Sequence, residues 1–348
     1  MGRGVAPKNW QLFLRILGAL TDLSMIKYLI RRALYVIPVF FGITLMVFAI
    51  ERLAGDPIRL LTALNPHVNE AQRQLLRQYY GLDKPLLVQY FTWVGQLLTG
   101  NLGVSYTSGA NIPVSTLLAE RSWLTLEIQL IGLVLSLIIA VPIGILSARK
   151  RYSKLDVTVS NTALVGTSIP IFFLGIVFIL VFGYKLKIFP AGGAQSAYPS
   201  QYPFGSLLID RLWHFTLPVS VYTFAILAPV VLLVRSSMLE VLRLDFILAA
   251  RASGLKESTV IYRHGLRNAL IPITTYIGLY FGGLLAGAPI TETVFNWPGV
   301  GQLFVIATNN LDFPVIQGVI VVITLMTFAA NIITDISYSY IDPRIRLA

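Results

Sequence analysis

Residues 235–272, RSSMLEVLRLDFILAARASGLKESTVIYRHGLRNALIP, form a charged island between two long apolar runs. Its basic side chains outnumber its acidic ones: Arg235, Arg243, Arg251, Lys256, Arg263 and Arg267 against Glu240, Asp245 and Glu257. A segment this charged lies outside the hydrocarbon of a membrane, and lysine and arginine concentrate in cytoplasmic loops. The island therefore predicts a cytoplasmic segment between two membrane spans.

The island also contains the pattern of a short helix. Asp245 can accept hydrogen bonds as its N-cap, and Gly254 suits the left-handed position just after its C-terminus. Residues at helical spacing share one face that becomes small after its aromatic residue: Leu242, Phe246, Ala249, Ala250 and Ser253. Periodicity alone leaves two alternatives, a helix resting on lipid headgroups and a docking element for a cytoplasmic partner, and it favours the first.

The composition is that of a polytopic membrane protein. Only 12% of the 348 residues are charged and the mean hydropathy is +0.73, whereas soluble domains carry about 25% charged residues. The net charge of +11 is spread over short loops, which indicates membrane topology rather than nucleic-acid binding. We predict an all-α fold with six transmembrane helices and cytoplasmic N- and C-termini.

The predicted organisation has five parts, and residues 1–25 are an extension that includes either an interfacial helix or a loose tail. The first span is predicted within residues 26–53 and an extracytoplasmic segment within 54–121. Residues 122–337 form the core, with five spans at 124–148, 163–184, 215–233, 267–289 and 312–336 and the charged loop at 235–267. Residues 338–348 form a cytoplasmic tail.

Further details of the pattern predict local structure. Residues 70–79 predict a surface helix, and Pro170 predicts a kink in the third span. The glycines of GLYFGGLLAGAP, residues 278–289, predict close packing against another span. Phe295, Trp297 and Pro298 fit an interfacial anchor or a re-entrant turn.

Several separated motifs resemble one family. ILAARASGL, residues 247–255, resembles the EAA loop of ATP-binding-cassette import permeases through Ala249, Ala250 and Gly254, although Leu248 replaces the leading glutamate. The following HGLRNALIP is similar to the dipeptide, oligopeptide and nickel branch. GDP at 55–57, YGLDKP at 80–85 and GNLGVSY at 100–106 resemble its first, or B-type, permease subunit, and TETVFNWPGVG at 291–301 resembles a further segment of the family.

The resemblance covers nearly the whole chain after residue 25 and implies a type I importer fold. It implies that this chain forms half of a pore with a second homologous permease subunit. Two ATPase subunits, which bind ATP and Mg²⁺, would dock from the cytoplasm, and an extracytoplasmic binding protein would deliver cargo. The implied cargo is a peptide, with oligosaccharides or nickel as alternatives. The implied location is the cell membrane, surrounded by lipid.

By position, the resemblance assigns seven residues to the ATPase contact: Asp245, Phe246, Ala249, Ala250, Arg251, Ala252 and Gly254. We expect the alanines and Gly254 to allow close approach and Phe246 and Arg251 to anchor the contact. Their work would be mechanical, since closure of the ATPases would move the two short helices of the permease pair together.

The residues themselves indicate a transporter that is not an enzyme. There is no cysteine, no metal-ligand spacing and no phosphate-binding GxxxxGK[ST] sequence, so nucleotide chemistry belongs to other chains. An ion-coupled carrier is disfavoured because the spans contain almost no ionisable residues. Polar residues within spans are candidates for pore lining, with hydrogen bonding between helices as the favoured alternative: Ser160, Asn161, Thr167, Ser168, Thr274, Thr275, Tyr276 and Asn331.

Overall fold

The computed structural model describes residues 23–341 except residues 57, 59–61, 63–68, 108–111, 199, 201–202 and 285–287. In this part of the chain the regular structure is helical, apart from one β-bridge between Val104 and Pro113. The helices are α1 (Leu23–Ala54), α2 (Glu70–Tyr79), α3 (Leu86–Leu98), α4 (Val114–Arg149), α5 (Lys154–Ser168), α6 (Ile171–Phe178), α7 (Leu207–Val241), α8 (Asp245–Ala252), α9 (Leu266–Gly282), α10 (Pro289–Val294), α11 (Val300–Asn309) and α12 (Phe313–Ile341).

Shorter segments join some of these helices. A π-helical segment, Ile179–Lys185, continues α6. A single α-helical turn, Glu257–Thr259, and a π-helical segment, Val260–Gly265, lead into α9. The predicted surface helix at residues 70–79 is confirmed as α2, which begins with a capping box between Asn69 and Gln72.

Four helices in the described residues are long and apolar enough to cross a membrane: α1, α4, α7 and α12. The bent pair α5 and α6 makes a fifth if it counts as one span. The predicted fifth span is shorter than expected, since α9 ends at Gly282 after 17 residues. The six-span count and the cytoplasmic termini therefore stay predictions, and residues 1–22 and 342–348 lie outside the described part.

The predicted third span is wrong in its bounds. The predicted span starts at residue 163, whereas α5 begins at Lys154. The axis of α5 and the axis of the helix that runs from Ile171 to Lys185 differ by 96°. Ile169, immediately before Pro170, has extended backbone dihedral angles, because the proline ring disfavours the helical conformation for the residue before it. Pro170 thus ends one helix and precedes the next rather than kinking a continuous span.

The core lies where α4 and α7 pack along their lengths, and α9 joins it on the side of α7. α9 also packs against α12, where a Cβ added to Gly278 would lie 2.2 Å from the Thr334 side chain. This contact confirms the close packing predicted from the glycines of this segment. The long helices thus form one bundle, with α8 at one end and α10 and α11 at the other.

Candidate functional site

The end of the bundle that carries α8 is held together by one buried carboxylate. Asp156, at the start of α5, is almost completely buried. It accepts hydrogen bonds from Ser147 Oγ on α4 at 2.5 Å, from the Tyr152 backbone N–H at 2.9 Å and from Arg235 on α7. Because the Arg235 guanidinium makes two of these bonds, α4, α5 and α7 are tied at the point where the chain leaves for α8.

The predicted short helix exists, and its C-terminal prediction is confirmed. α8 ends at Ala252, and Gly254 has a φ of +74°. The backbone N–H of Gly254 bonds to Arg251 O at 3.0 Å and that of Leu255 bonds to Ala250 O at 3.4 Å. These two bonds form a Schellman motif, which requires the left-handed residue that glycine adopts at the least cost.

The predicted N-cap is wrong by one residue. Leu244 is the N-cap, and no side chain caps the helix. Asp245 is the first helical residue, and its carboxylate lies at the end of the helix where the unpaired N–H groups make the potential positive.

The seven residues assigned to the ATPase contact all reach the surface of the chain. Phe246 is 41% exposed, Ala249 is also exposed, and Ala250 is half-buried. Sequence reasoning missed Ile247, which is completely buried while α8 packs against the π-helical segment before α9. α8 therefore has an inner side fixed by Ile247 and an outer side that presents Phe246 and Ala249.

Arg251 has a partner within the chain. Its guanidinium lies 2.9 Å from Glu257 Oε1 and its Nε 3.2 Å from Oε2. The hydrogen bonds from Arg251 lower the pKa of Glu257 below its ordinary value. Since both side chains are well exposed, the pair closes the turn after α8 while leaving a charged surface beside Phe246.

A second buried carboxylate organises the opposite end of the bundle. Glu292 accepts hydrogen bonds from Thr125 Oγ1 on α4 at 2.9 Å, from the Gln302 N–H on α11 at 2.9 Å and from the Ala288 N–H at 3.3 Å. The Val300 N–H in turn donates to Thr125 Oγ1 at 2.8 Å. The TETVFNWPGVG segment therefore folds around the buried carboxylate of Glu292.

The aromatic residues of this segment face inward. Phe295 and Trp297 are each 1% exposed, and the Trp297 indole N–H donates to Leu124 O at 3.0 Å. The prediction of an interfacial anchor is therefore wrong for these two side chains, because the indole N–H finds its acceptor inside the protein. The alternative, a re-entrant turn, stays a prediction, and the short connection between α10 and α11, which pack on each other, is compatible with it.

A third buried carboxylate connects the first loop region to the last helix. Asp312, immediately before α12, accepts from Ser105 Oγ at 2.5 Å, from the Tyr106 N–H at 3.1 Å and from Thr107 N–H and Oγ1 at 3.1 and 2.8 Å. Two stretches more than 200 positions apart in the sequence, GNLGVSY and DFPVIQG, therefore meet at one side chain.

Comparison with known proteins adds the family. Residues 140–347 match the model of the binding-protein-dependent transport system inner membrane component, and residues 25–125 match the model of its N-terminal part. The chain belongs to this family. The relatives include the oligopeptide transport system permease protein AppB of Bacillus subtilis, which is 39% identical over 92% of this chain and 99% of the relative.

Other members of the family are equally similar over their full length. The dipeptide transport system permease protein DppB of Escherichia coli is 38% identical over 92% of this chain and 99% of its own. The di/tripeptide transport system permease protein DppB of Pseudomonas aeruginosa has the same identity and coverage. Among solved structures, an inward-facing MetNI methionine ABC transporter aligns with a TM-score of 0.48 and 18% identity, over 64% of this chain and 96% of that one.

The pore candidates of this family member lie on three helices. Ser160, Asn161, Thr167 and Ser168 lie on α5, which packs against α4 and α7, whereas the others lie on the packed pair α9 and α12: Thr274, Thr275, Tyr276 and Asn331. The structure therefore divides the candidates into two sets rather than one cluster.

Four hydroxyls among these candidates bond within their own helix. Thr167 and Ser168 donate to Leu164 O, and Thr274 and Thr275 donate to Ile271 O. The alternative prediction of bonds to another helix is wrong for these four, because a carbonyl three or four residues earlier is within reach of a helical hydroxyl. Such hydroxyls keep an acceptor lone pair for another ligand.

One polar network among the long helices was missed. Tyr222 Oη on α7 donates to Gln129 Oε1 on α4 at 2.8 Å and receives a hydrogen bond from Tyr280 Oη on α9. The Tyr276 ring stacks on Tyr280 with centroids 6.3 Å apart. Tyr276 is a pore candidate and Tyr280 lies in the glycine-rich segment, but no sequence motif linked them to Tyr222 and Gln129, since these positions lie on three different helices.

Proposed function

We propose that this chain is a permease subunit of an ATP-driven importer of di- and oligopeptides. The named relatives that support the cargo class are peptide permeases and align with more than nine-tenths of this chain. In this proposal the complete fold has six spans with both termini in the cytoplasm. The bent pair α5–α6 counts as one span, and α9 with its π-helical leader crosses as another.

The observation that carries the proposal is the construction of α8. An exposed aromatic residue and exposed alanines on a short helix are normally unfavourable in a free protein, because they leave apolar area in contact with water. Here Ile247 fixes its inner side and the Asp156–Arg235 pair fixes the frame beneath it. A rigid helix with an apolar, small-residue outer side suits insertion into a groove of a partner protein.

The partner in this groove is an ATPase subunit. Two such subunits, each with ATP and Mg²⁺, would hold this chain and a second homologous permease subunit, each through one short helix. The contact on this chain would consist of Asp245, Phe246, Ala249, Ala250, Arg251, Ala252 and Gly254. An extracytoplasmic binding protein would deliver the peptide at the opposite end, beside α10 and α11.

The pore would form where this chain meets the second permease subunit. The exposed side chains of Asn161, Thr167 and Ser168 on α5 support a wall on that helix. Uncharged hydroxyls and amides suit peptides of varied sequence because they bind backbone groups without selecting a side-chain charge.

Reconstitution tests this proposal. The tagged chain is purified from its native membrane, co-purifying chains are identified by mass spectrometry, and the complex is placed in proteoliposomes with a radiolabelled dipeptide. We expect two ATPase subunits, a second polytopic chain and uptake that requires ATP and the binding protein. Uptake that needs an ion gradient and no ATP would contradict the importer, whereas ATP-dependent uptake of a non-peptide cargo would contradict only the cargo.

A further inference from the structure

A cavity of about 270 Å³ lies between the C-terminal end of α1, the helices α2 and α3 and the start of α12. Its described lining includes two cationic side chains, Arg52 and Lys84, and no aspartate or glutamate. Much of the remaining wall is amide or aromatic, with Gln89, Gln96, Tyr80 and Trp93 among its residues. This charge balance suits an anionic ligand with hydrogen-bonding groups.

Two polar atoms of the cavity residues are buried without a hydrogen-bond partner among the described residues. One is Arg52 Nε, although the guanidinium lies 4.8 Å from the Phe48 ring centroid. The other is Gln89 Oε1, whose amide nitrogen donates to Leu82 O and Lys84 O at 3.2 and 2.6 Å. A charged donor and a neutral acceptor on cavity residues are therefore left without partners among the described residues, and a buried group without a partner is costly.

The acidic neighbour of Arg52 does not occupy the cavity. Glu51 precedes Arg52 on α1 and is buried. Its Oε2 accepts a hydrogen bond from Gln317 Nε2 at 2.6 Å, on the α12 side. Glu51 is not among the residues that line the cavity, and neither is Asp56, which also lies near Arg52 and pairs with Arg77 at 2.6 Å.

The position of α3 gives the depth of the cavity in the membrane. Tyr90 Oη on α3 lies 3.1 Å from Thr44 Oγ1 of α1, and the Tyr90 ring packs on Phe48. Thr44 precedes the last residue of α1 by ten positions, or about 15 Å of helix at 1.5 Å per residue. α3 thus lies beside the apolar part of α1 and not above it.

The outer surfaces of both helices are apolar. On α3, Leu87, Phe91 and Leu98 are 70%, 66% and 72% exposed, and α3 carries no charged residue. On α1, Leu53, next to Arg52, is 87% exposed. Apolar faces beside a cationic and aromatic rim are typical of helices at the boundary between lipid tails and headgroups.

We propose that this cavity binds the headgroup of an anionic phospholipid of the phosphatidylglycerol type. The phosphate lies against Arg52 and Lys84, because cations at the end of a span lie at the depth of the lipid phosphates. A hydroxyl of the headgroup donates to Gln89 Oε1. The acyl chains leave along the exposed apolar faces of α1 and α3, beside Leu53 and Phe91.

Native mass spectrometry of the full chain tests the proposal. The delipidated protein is titrated with phosphatidylglycerol and, separately, with phosphatidylcholine, which has a phosphate but no hydrogen-bond donor. We expect tighter retention of phosphatidylglycerol, with a loss of about ten-fold in affinity in the double variant Arg52→Gln and Lys84→Gln. The control is Lys185→Gln, which removes one charge from a residue that does not line the cavity and should bind like the unmodified chain.

A fluorescence measurement covers the case in which the double variant does not fold. Phosphatidylglycerol brominated high on its acyl chains should quench Trp93, and Trp93→Phe should remove that part of the quenching. An inorganic phosphate arm separates the two anion sources. Displacement of the lipid by millimolar phosphate, equal retention of both lipids, or quenching unchanged in Trp93→Phe would each overturn the headgroup site.

Discussion

The guanidinium of Arg235 on α7 donates hydrogen bonds from Nε and Nη2 to the two carboxylate oxygens of Asp156 on α5, at 2.5 and 2.8 Å. Arg235 is the first residue of the charged island, ten positions before α8 begins. Force applied to α8 by a partner would therefore reach α4, α5 and α7 through a bidentate ion pair, a geometry that resists rotation better than a single bond.

Breaking this pair should destabilise the bundle. Asp156→Asn leaves the largely buried Arg235 cation without its counter-ion, and we expect a loss of about 3 kcal/mol in the free energy of unfolding. Thermal unfolding in detergent measures it. Glu127→Gln is the matched control, because its pair with Arg211 is longer, at 3.4 Å, and more exposed, so its loss should stay under about 1 kcal/mol. Equal losses in the two variants would contradict the proposal that the Asp156–Arg235 pair holds α4, α5 and α7 together.

Gly254 should be sensitive to backbone conformation rather than to side-chain volume. A Cβ at this position meets no atom within 4 Å, but its φ is +74°. We expect Gly254→Val to leave the protein inserted and to uncouple ATP hydrolysis from uptake. Gly254→Asn should retain most coupling, because asparagine tolerates the left-handed region. The ratio of uptake to hydrolysis in proteoliposomes is the measurement, and equal coupling by both variants would count against the role of this turn.

Replacement of Ile247 by alanine should loosen α8, whereas the same replacement of Leu248 should not. Ile247 is fully buried and Leu248 is 54% exposed. Ile247→Ala should loosen α8 at a cost of about 2–4 kcal/mol, seen as faster amide hydrogen exchange across residues 245–252. Leu248→Ala should leave that exchange within about two-fold of the unmodified chain, since it removes no packed group. Faster exchange in Leu248→Ala alone would reverse the assigned orientation of α8.

Glu292, at the end of the bundle opposite α8, should not tolerate replacement by glutamine. Both oxygens of Glu292 accept hydrogen bonds, so the amide group of Glu292→Gln would face a donor, and we expect a loss of about 2 kcal/mol. Gly299→Ala should also destabilise, because its Cβ would lie 2.4 Å from the Glu292 carboxyl. Unfolding midpoints in detergent check both, and a stable Gly299→Ala variant would show that the turn can relax.

Asp312 should hold the segment around residues 105–107 in place. Asp312→Asn replaces an oxygen that accepts from N–H and O–H donors with an N–H group, and we expect about ten-fold faster cleavage of this segment in limited proteolysis. Asp83→Asn, at an exposed position in an earlier turn, is the control. Unchanged cleavage in Asp312→Asn would mean that other contacts hold the segment.

Much of the helical architecture was predictable, because apolar length and helical periodicity are properties of consecutive residues. The surface helix at 70–79, the short helix after Leu244 and its glycine terminus all followed from local rules. Local rules failed at the start of the short helix. They predict Asp245 as the N-cap of α8, but Leu244 is the N-cap and Asp245 is the first helical residue.

The sequence by itself determined that this is a polytopic membrane protein of the transport family, with one charged segment containing a short helix. Tertiary structure decided which groups meet: that Arg235 pairs with Asp156, that Phe295 and Trp297 face inward and that Ile247 is the buried residue of α8. The physical reason is the distance along the sequence over which each interaction acts. Hydropathy and helix propensity act over a few residues, whereas Asp156, Glu292 and Asp312 accept hydrogen bonds from donors that include groups 79, 167 and 207 positions away, and only the folded bundle brings these groups together.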